Sequence, residues 1–268
     1  MMDYTSRYGL EFNPFLKNSR EVLVETEQYR EACIRLDYLL QMKGFGILTG
    51  RPGLGKTTVI RNWTHKMNPS LYKVIYSSLS TLTLNDFYRN LITELGGIPT
   101  YRKPDNFRII QGEINRLSIE KRQTPVIIID EANYVNTAIL NDLKILFNFD
   151  MDSRDRAVIL LAGLPVLNNT LRLGIHEPLR QRIIMNYNLD GLTKEEGSAY
   201  VHGKLRGAGC TQPVFQENAL EAVLNASNGT PRVINKICNA SLLIANSRKL
   251  NLVDADSVMQ AVNDCELG

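Results

Sequence analysis

The stretch that most constrains this chain is Gly50-Arg51-Pro52-Gly53-Leu54-Gly55-Lys56-Thr57, which fits the pattern G-x-x-x-x-G-K-[ST]. Glycines at these places let the backbone curl until successive N–H groups face a single phosphate-sized anion. The flanks agree with that reading. Phe45-Gly46-Ile47-Leu48-Thr49 reads as a short buried strand, and Thr58 to Lys66 as a helix whose N-terminal dipole favours the same anion. The alternative is an incidental glycine-rich turn. Strand, loop and helix in this order argue against it and predict a phosphate-binding loop. Its residues Gly50, Arg51, Pro52, Gly53, Leu54, Gly55, Lys56, Thr57 and Thr58 are the candidate nucleotide contacts. Lys56 would bring a cation to the β- and γ-phosphates, and the Thr57 hydroxyl would ligate Mg2+.

A second half of the site lies downstream. Val126-Ile127-Ile128-Ile129-Asp130-Glu131 is an apolar, β-branched run that follows Thr124-Pro125 and ends in two carboxylates. A run this apolar suits a central strand covered on both faces. Ligands of open α/β sheets bind at the carboxyl ends of the strands, where Asp130 would sit and hold Mg2+ directly or through water. Glu131 would point elsewhere, to orient and deprotonate an attacking water. A strand that merely happens to end in two acids is the alternative, and the upstream phosphate loop weighs against it.

Composition sets outer limits. The chain has 268 residues, 44% hydrophobic and 22% charged, which suits one large α/β domain with a small second one. A net charge of +3 is too weak to argue nucleic-acid binding from the total. No apolar run has the length of a membrane span, and the N-terminus has no signal-peptide core, so a cytoplasmic protein without membrane contact is expected. Cys33, Cys210, Cys238 and Cys265 are scattered and read as reduced thiols. His65, His176 and His202 have no ligand spacing, so neither a structural metal nor a histidine-based catalytic site is expected.

Along the chain, helices are expected at Glu25 to Met42, from Asn85 or Asp86 to Leu95, from Asp105 through Arg122, at Thr137 to Phe147, at Leu164 to Leu171 and at Glu177 to Arg182. Further strands are expected at Tyr72 to Tyr76, Ala157 to Ala162 and Ile184 to Leu189. Alternating strands and helices imply a parallel α/β sheet over residues 1–191, with the aromatic segment Phe12-Asn13-Pro14-Phe15 packed on it. Residues 192–268 read as a small all-helical domain that opens on the capping box Thr193-Lys194-Glu195-Glu196.

A P-loop α/β domain followed by a helical lid resembles the AAA+ ATPases. Phe12-Asn13-Pro14-Phe15 is similar to the element that opens the ExeA-type members, and Leu160-Leu161-Ala162-Gly163-Leu164-Pro165 to their strand and loop before a short helix. Pro178-Leu179-Arg180-Gln181-Arg182-Ile183 resembles their arginine-finger segment, and Gly229-Thr230-Pro231-Arg232 the sensor-two arginine at the start of a lid helix. Within the superfamily the chain resembles the ExeA/TniB/TnsC/MuB group, many of which are transposition ATPases. The secretion-system ExeA proteins carry a membrane segment and a cell-wall-binding domain, and MuB-type proteins a helix-turn-helix extension. This chain stops after the lid, so the helper type is expected, with DNA contacts drawn from the core. The sensor-one position, often polar in the family, is Gly163-Leu164 here.

The resemblance implies ATP and Mg2+ as ligands, held between the α/β domain and the lid and across a subunit interface. It implies a homo-oligomer, ring or filament, that assembles on duplex DNA and serves a partner transposase. Either Arg180 or Arg182 would act as the trans finger, and Arg232 would contact the nucleotide. Arg102 and Lys103, with Tyr101 beside them, are candidate DNA contacts, as are Ser77 and Thr81 in a polar loop. A solvated helix and loop is the bland reading of both. Nothing looks like a base-reading element, so binding would be independent of sequence. Two rivals stand: an ExeA-like protein-remodelling or secretion-associated ATPase that does not touch DNA, and a nucleotide switch with negligible turnover, against which Glu131 argues.

Overall fold

The β-branched runs pair side by side in a computed structural model that describes residues 4–78 and 81–266. Strands β1 (Gly44–Gly50), β2 (Tyr72–Ser77), β3 (Thr124–Ile129), β4 (Val158–Gly163) and β5 (Ile183–Leu189) form a parallel sheet in the order β2-β3-β4-β1-β5. Every residue of β1 and β4 is buried, as is β3 beyond its first residue, which fits apolar runs covered on two faces. The edge strands β2 and β5 are partly exposed.

The strand order decides what meets at the carboxyl edge. β4 lies between β1 and β3, so the exits toward Arg51, Leu164 and Asp130 are neighbours. Thr49 is level with Gly163, and Ile129 with Leu161. Helix α1 (Glu27–Met42) leads into β1, and helices α2 (Lys56–His65), α3 (Leu84–Leu95), α4 (Lys103–Asn115), α5 (Thr137–Leu146), α6 (Val166–Arg172) and α7 (Glu177–Arg180) connect the strands. Phe87 and Leu91 of α3, Ile110 and Ile114 of α4, and Leu140 and Leu143 of α5 share one core with Ile75, Ile127, Ile129 and Ile159 of the sheet.

Several helix starts differ from expectation by one or two residues, two of them for a visible reason. α3 opens earlier, because the Thr83 side chain, not Asn85 or Asp86, caps it by accepting from the Asp86 amide. α4 opens at Lys103 because Pro104 takes the first turn, where its missing N–H costs nothing. Its end is a π-helical turn, Arg116–Glu120.

The described residues group into two compact units. One comprises Glu31–Pro52 and Lys56–Leu189, and the other the chain up to Arg30, Gly53–Gly55 and the chain from Asp190 onward. The second unit is built on α8 (Lys194–Gly207), α9 (Glu217–Ser227), α10 (Pro231–Ser247) and α11 (Ala255–Glu266). Its core joins Tyr200, Val201, Leu205, Val223, Ile234 and Ile237 to Tyr8, Leu10 and Phe15. The N-terminal aromatic segment, expected on the α/β domain, therefore packs with the helices. Buried Asn13 anchors it: Nδ2 donates to Asn239 Oδ1 of α10 at 2.7 Å, and Oδ1 accepts the Phe15 amide at 2.9 Å. Among the described residues, no helix is long and apolar enough to cross a membrane.

The capping box at α8 is formed in both directions. Thr193 Oγ1 accepts the Glu196 amide at 3.2 Å, and Glu196 Oε2 accepts the Thr193 amide at 3.0 Å. Thr193→Ala is expected to lower unfolding stability by about 1 kcal/mol, and Thr193→Ser by much less. Urea denaturation measures both; equal midpoints for Ala and wild type would remove the cap's contribution.

Candidate functional site

The phosphate loop leaves β1 at Gly50 and enters α2 at Lys56. Gly53 and Gly55 sit at φ +82° and +101°, where a side chain is disfavoured. A Cβ on Gly53 would also lie 2.9 Å from the Arg232 Cβ. Lys56 is only 7% exposed, and its ammonium donates to the Gly50 carbonyl at 2.7 Å and to the Arg51 carbonyl at 3.2 Å. The cation is thus held inside the loop by the loop's own oxygens.

Asp130 follows β3 and is 4% exposed. Its Oδ1 accepts the Glu131 amide at 2.9 Å. Its Oδ2 accepts the Thr57 hydroxyl at 3.2 Å and the Tyr76 hydroxyl at 2.6 Å. Thr57 and Asp130, expected from sequence as partners on a metal, are therefore neighbours. A hydroxyl and a carboxylate oxygen at that spacing are a donor pair that suits a hard cation such as Mg2+.

Tyr76 was not anticipated. In register it lies beside Ile128, so its side chain shares a face with Ile128 and, two residues on, with Asp130. Partial burial, the hydrogen bond to Asp130 and that carboxylate's charge push the Tyr76 phenol above its ordinary range. The signal was a tyrosine at the end of β2, and it meant nothing until the pairing of β2 with β3 was known.

Glu131 takes a left-handed backbone conformation, φ +52° and ψ 37°, and its side chain is exposed. Its charge, with that of Asp130, also acts on the Tyr76 phenol. The 3-10 turn Ala132–Tyr134 follows. There Asn133 Oδ1 accepts the Leu164 amide at 2.9 Å and ties the turn to the exit of β4.

The candidate finger residues diverge. Arg180 donates to the Arg172 carbonyl at 3.1 Å and is exposed. Arg182 donates to the Lys144 carbonyl at 2.9 Å, against the end of α5, and is half-buried. Arg232, the second residue of α10, is exposed, and its amide lies 3.3 Å from the Gly53 carbonyl, both within the helical unit.

The candidate DNA contacts are unequal. Lys103 pairs with Asp142 at 2.5 Å and lies over the Tyr88 ring. The Arg102 and Arg108 side chains are 79% and 80% exposed, with Asp105 3.9 Å and 3.7 Å away. Tyr101 is 90% exposed, with the Arg89 guanidinium over its ring. Fully buried Asn106 fixes this loop: it accepts the Thr100 amide at 2.7 Å and donates to the Thr100 carbonyl at 3.1 Å. The Ser77 hydroxyl is sunk from the surface, whereas Thr81 is exposed. Leu79 and Ser80 of the same polar loop lie outside the described residues.

Comparison with known proteins bears on the fold. Residues 40–171 match the family described as AAA domain. The fold is that of an AAA+ P-loop protein. The chain is 33% identical over 252 residues to the general secretion pathway protein A of Aeromonas hydrophila, covering 91% of this chain and 45% of that one. It spans 45% to 62% of the length of the curated relatives it matches. Among solved structures, Cdc6p from Pyrobaculum aerophilum superposes with a TM-score of 0.68 at 15% identity, over 92% of this chain and 69% of that one. Drosophila ORC bound to DNA gives 0.69 at 16% identity, over 93% and 63%. At such identities these two show the fold alone.

Asn106→Ala should destabilise the protein by about 1–3 kcal/mol, because the Thr100 groups it serves lose their partner. It should also speed amide exchange in residues 97–102. Urea denaturation and hydrogen exchange test this; unchanged exchange there would mean that Asn106 does not hold the loop.

Proposed function

We propose that this chain is an ATP hydrolase that uses Mg2+, assembles with copies of itself on duplex DNA and serves a partner transposase in the cytoplasm. The observation that carries the ATPase reading is the placement of Thr57 beside Asp130, with exposed Glu131 next in the chain. Lys56 would release the Gly50 carbonyl to meet the β- and γ-phosphates, and the amides of Gly53 to Thr58 would hold the chain of phosphates. Thr57 and Asp130 would hold Mg2+, which when bound offsets charge on the phosphate oxygens. Glu131 would orient a water and accept its proton. Arg180, the more exposed of the pair, is the better-placed trans finger, with Arg182 the alternative. Arg232 would contact the nucleotide.

DNA contact is supported by the fixed loop that presents Tyr101 and Arg102, with exposed Arg108 in the adjoining helix α4. A net charge of +3 cannot give tight binding to one copy, so many copies on one duplex would add weak contacts. A related fold has been solved as Drosophila ORC bound to DNA, which makes a DNA-facing role physically reasonable for such a sheet and lid. A second reading is a secretion-associated ATPase that does not touch DNA, favoured by the 33% identity to general secretion pathway protein A.

Two sets of measurements test these readings. Glu131→Gln should keep ATP affinity within about twofold yet lower turnover by about 100-fold or more, whereas Lys56→Ala should lose binding itself. Nucleotide titration and phosphate release report both, and near-normal turnover in Glu131→Gln would take that residue out of its role. Wild type with a non-hydrolysable ATP analogue should bind duplexes of unrelated sequence alike, and more weakly as salt rises. Arg102→Ala with Arg108→Ala should reduce affinity uniformly and flatten the salt dependence. Absence of binding at low salt would move the secretion-type reading ahead.

A further inference from the structure

The exit of β4 lacks the polar side chain that could report on a bound γ-phosphate, since Gly163 and Leu164 stand there. The structure shows why a glycine is present. A Cβ on Gly163 would lie 2.7 Å from Asn133 Oδ1, 3.1 Å from the Asn133 amide nitrogen and 3.3 Å from that of Ala132. The turn after Asp130 and Glu131 therefore rests directly on the end of β4. Asn133 places its carboxamide against that end, with Oδ1 accepting the Leu164 amide at 2.9 Å.

Because an N–H can only donate, this contact settles which end of the carboxamide faces Leu164. Oδ1 is taken, and the two hydrogens of Nδ2, at the other end of the carboxamide, are not used by this contact. The sheet order places this amide well. β4 runs between β1, which leads into the phosphate loop, and β3, which leads to Asp130 and Glu131. Gly163 is level with Thr49, the residue before the loop's first glycine. A donor over Gly163 thus lies between the two halves of the site. The other amide near Thr49 is committed: Asn168 donates its Nδ2 to Thr49 Oγ1 at 3.2 Å, and that hydroxyl donates to Asn188 at 3.1 Å.

We infer that Asn133 supplies, from the turn after β3, the γ-phosphate-side hydrogen-bond donor that β4 does not carry. Its Nδ2 donates to the terminal phosphate of ATP while its Oδ1 holds the Leu164 amide, so the presence of that phosphate is felt both at Glu131 and at the start of α6. ADP, without the γ-phosphate, leaves Nδ2 unused. The inference rests on the ATP reading of the site and adds a residue from outside both sequence motifs.

Asn133→Asp separates the two ends of the side chain. The carboxylate still accepts the Leu164 amide but replaces the donor with a negative oxygen that repels a phosphate. Asn133→Ala removes both ends, and Gly163→Ala pushes the carboxamide aside. Titrations with Mg2+ and either ADP or a non-hydrolysable ATP analogue give the ratio of the two affinities for each variant. Asn133→Asp is expected to lower the preference for the ATP analogue by about tenfold or more, with ADP affinity within about twofold of wild type and an unchanged melting temperature. Gly163→Ala is expected to shift the ratio in the same direction. A wild-type ratio in Asn133→Asp overturns the inference, as does equal loss of both nucleotides in it, since either leaves Asn133 only a structural clamp. These are binding measurements, so they stand whether or not wild type turns over; wild type that binds ATP without hydrolysing it would instead bring down the proposed enzymatic function.

Discussion

One buried carboxylate organises the candidate site of this protein. Asp130, 4% exposed at the end of β3, accepts hydrogen bonds from the Glu131 amide, the Thr57 hydroxyl and the Tyr76 hydroxyl. These donors come from its own strand exit, from the first turn of α2 and from the neighbouring strand β2. A carboxylate taken out of water needs such partners, because burying an unpaired charge is costly. The three bonds also register the phosphate loop, the β3 exit and the β2 exit against one another, so the position of Asp130 is shared by three elements.

The sheet makes this meeting possible. With β4 between β1 and β3, the ends of three buried strands come together at one edge. Each side chain there faces a definite side because its strand is buried on both faces and its register cannot slip without burying polar groups. Glu131 departs from regular backbone at that edge, with φ +52°, and Gly163 gives up a side chain to let the turn settle against β4. A backbone conformation that side chains disfavour, held by its surroundings, is common where a side chain must be aimed.

Much of this was legible in the sequence, for reasons that are local. The phosphate loop reads directly because its glycines, lysine and threonine are consecutive, and the five strands read because runs such as Val126 to Ile129 have little else to become. The capping box at Thr193 is likewise a four-residue signal, and it formed as expected. What escaped depends on pairings far apart in the chain. Tyr76 looked like an ordinary strand residue until register set it beside Ile128. Lys103 reads as a candidate DNA contact, but it pairs with Asp142, which lies in a different helix. The reason for Gly163 sits in another loop, at Asn133. The core that the N-terminal aromatics join is not legible, because an irregular apolar segment carries no record of which surface it covers; buried Asn13, bonded to Asn239, supplies that record only in three dimensions.

The central claim is that Asp130 and Thr57 form a metal-assisted site for splitting ATP. The most direct test is phosphate release by wild-type protein given ATP, first with Mg2+ and then with the metal removed by EDTA. The account predicts steady turnover with Mg2+ that falls to background in EDTA and returns when Mg2+ is restored in excess. Turnover that ignores EDTA, or none at all in Mg2+ by protein that binds ATP and is folded, would contradict it.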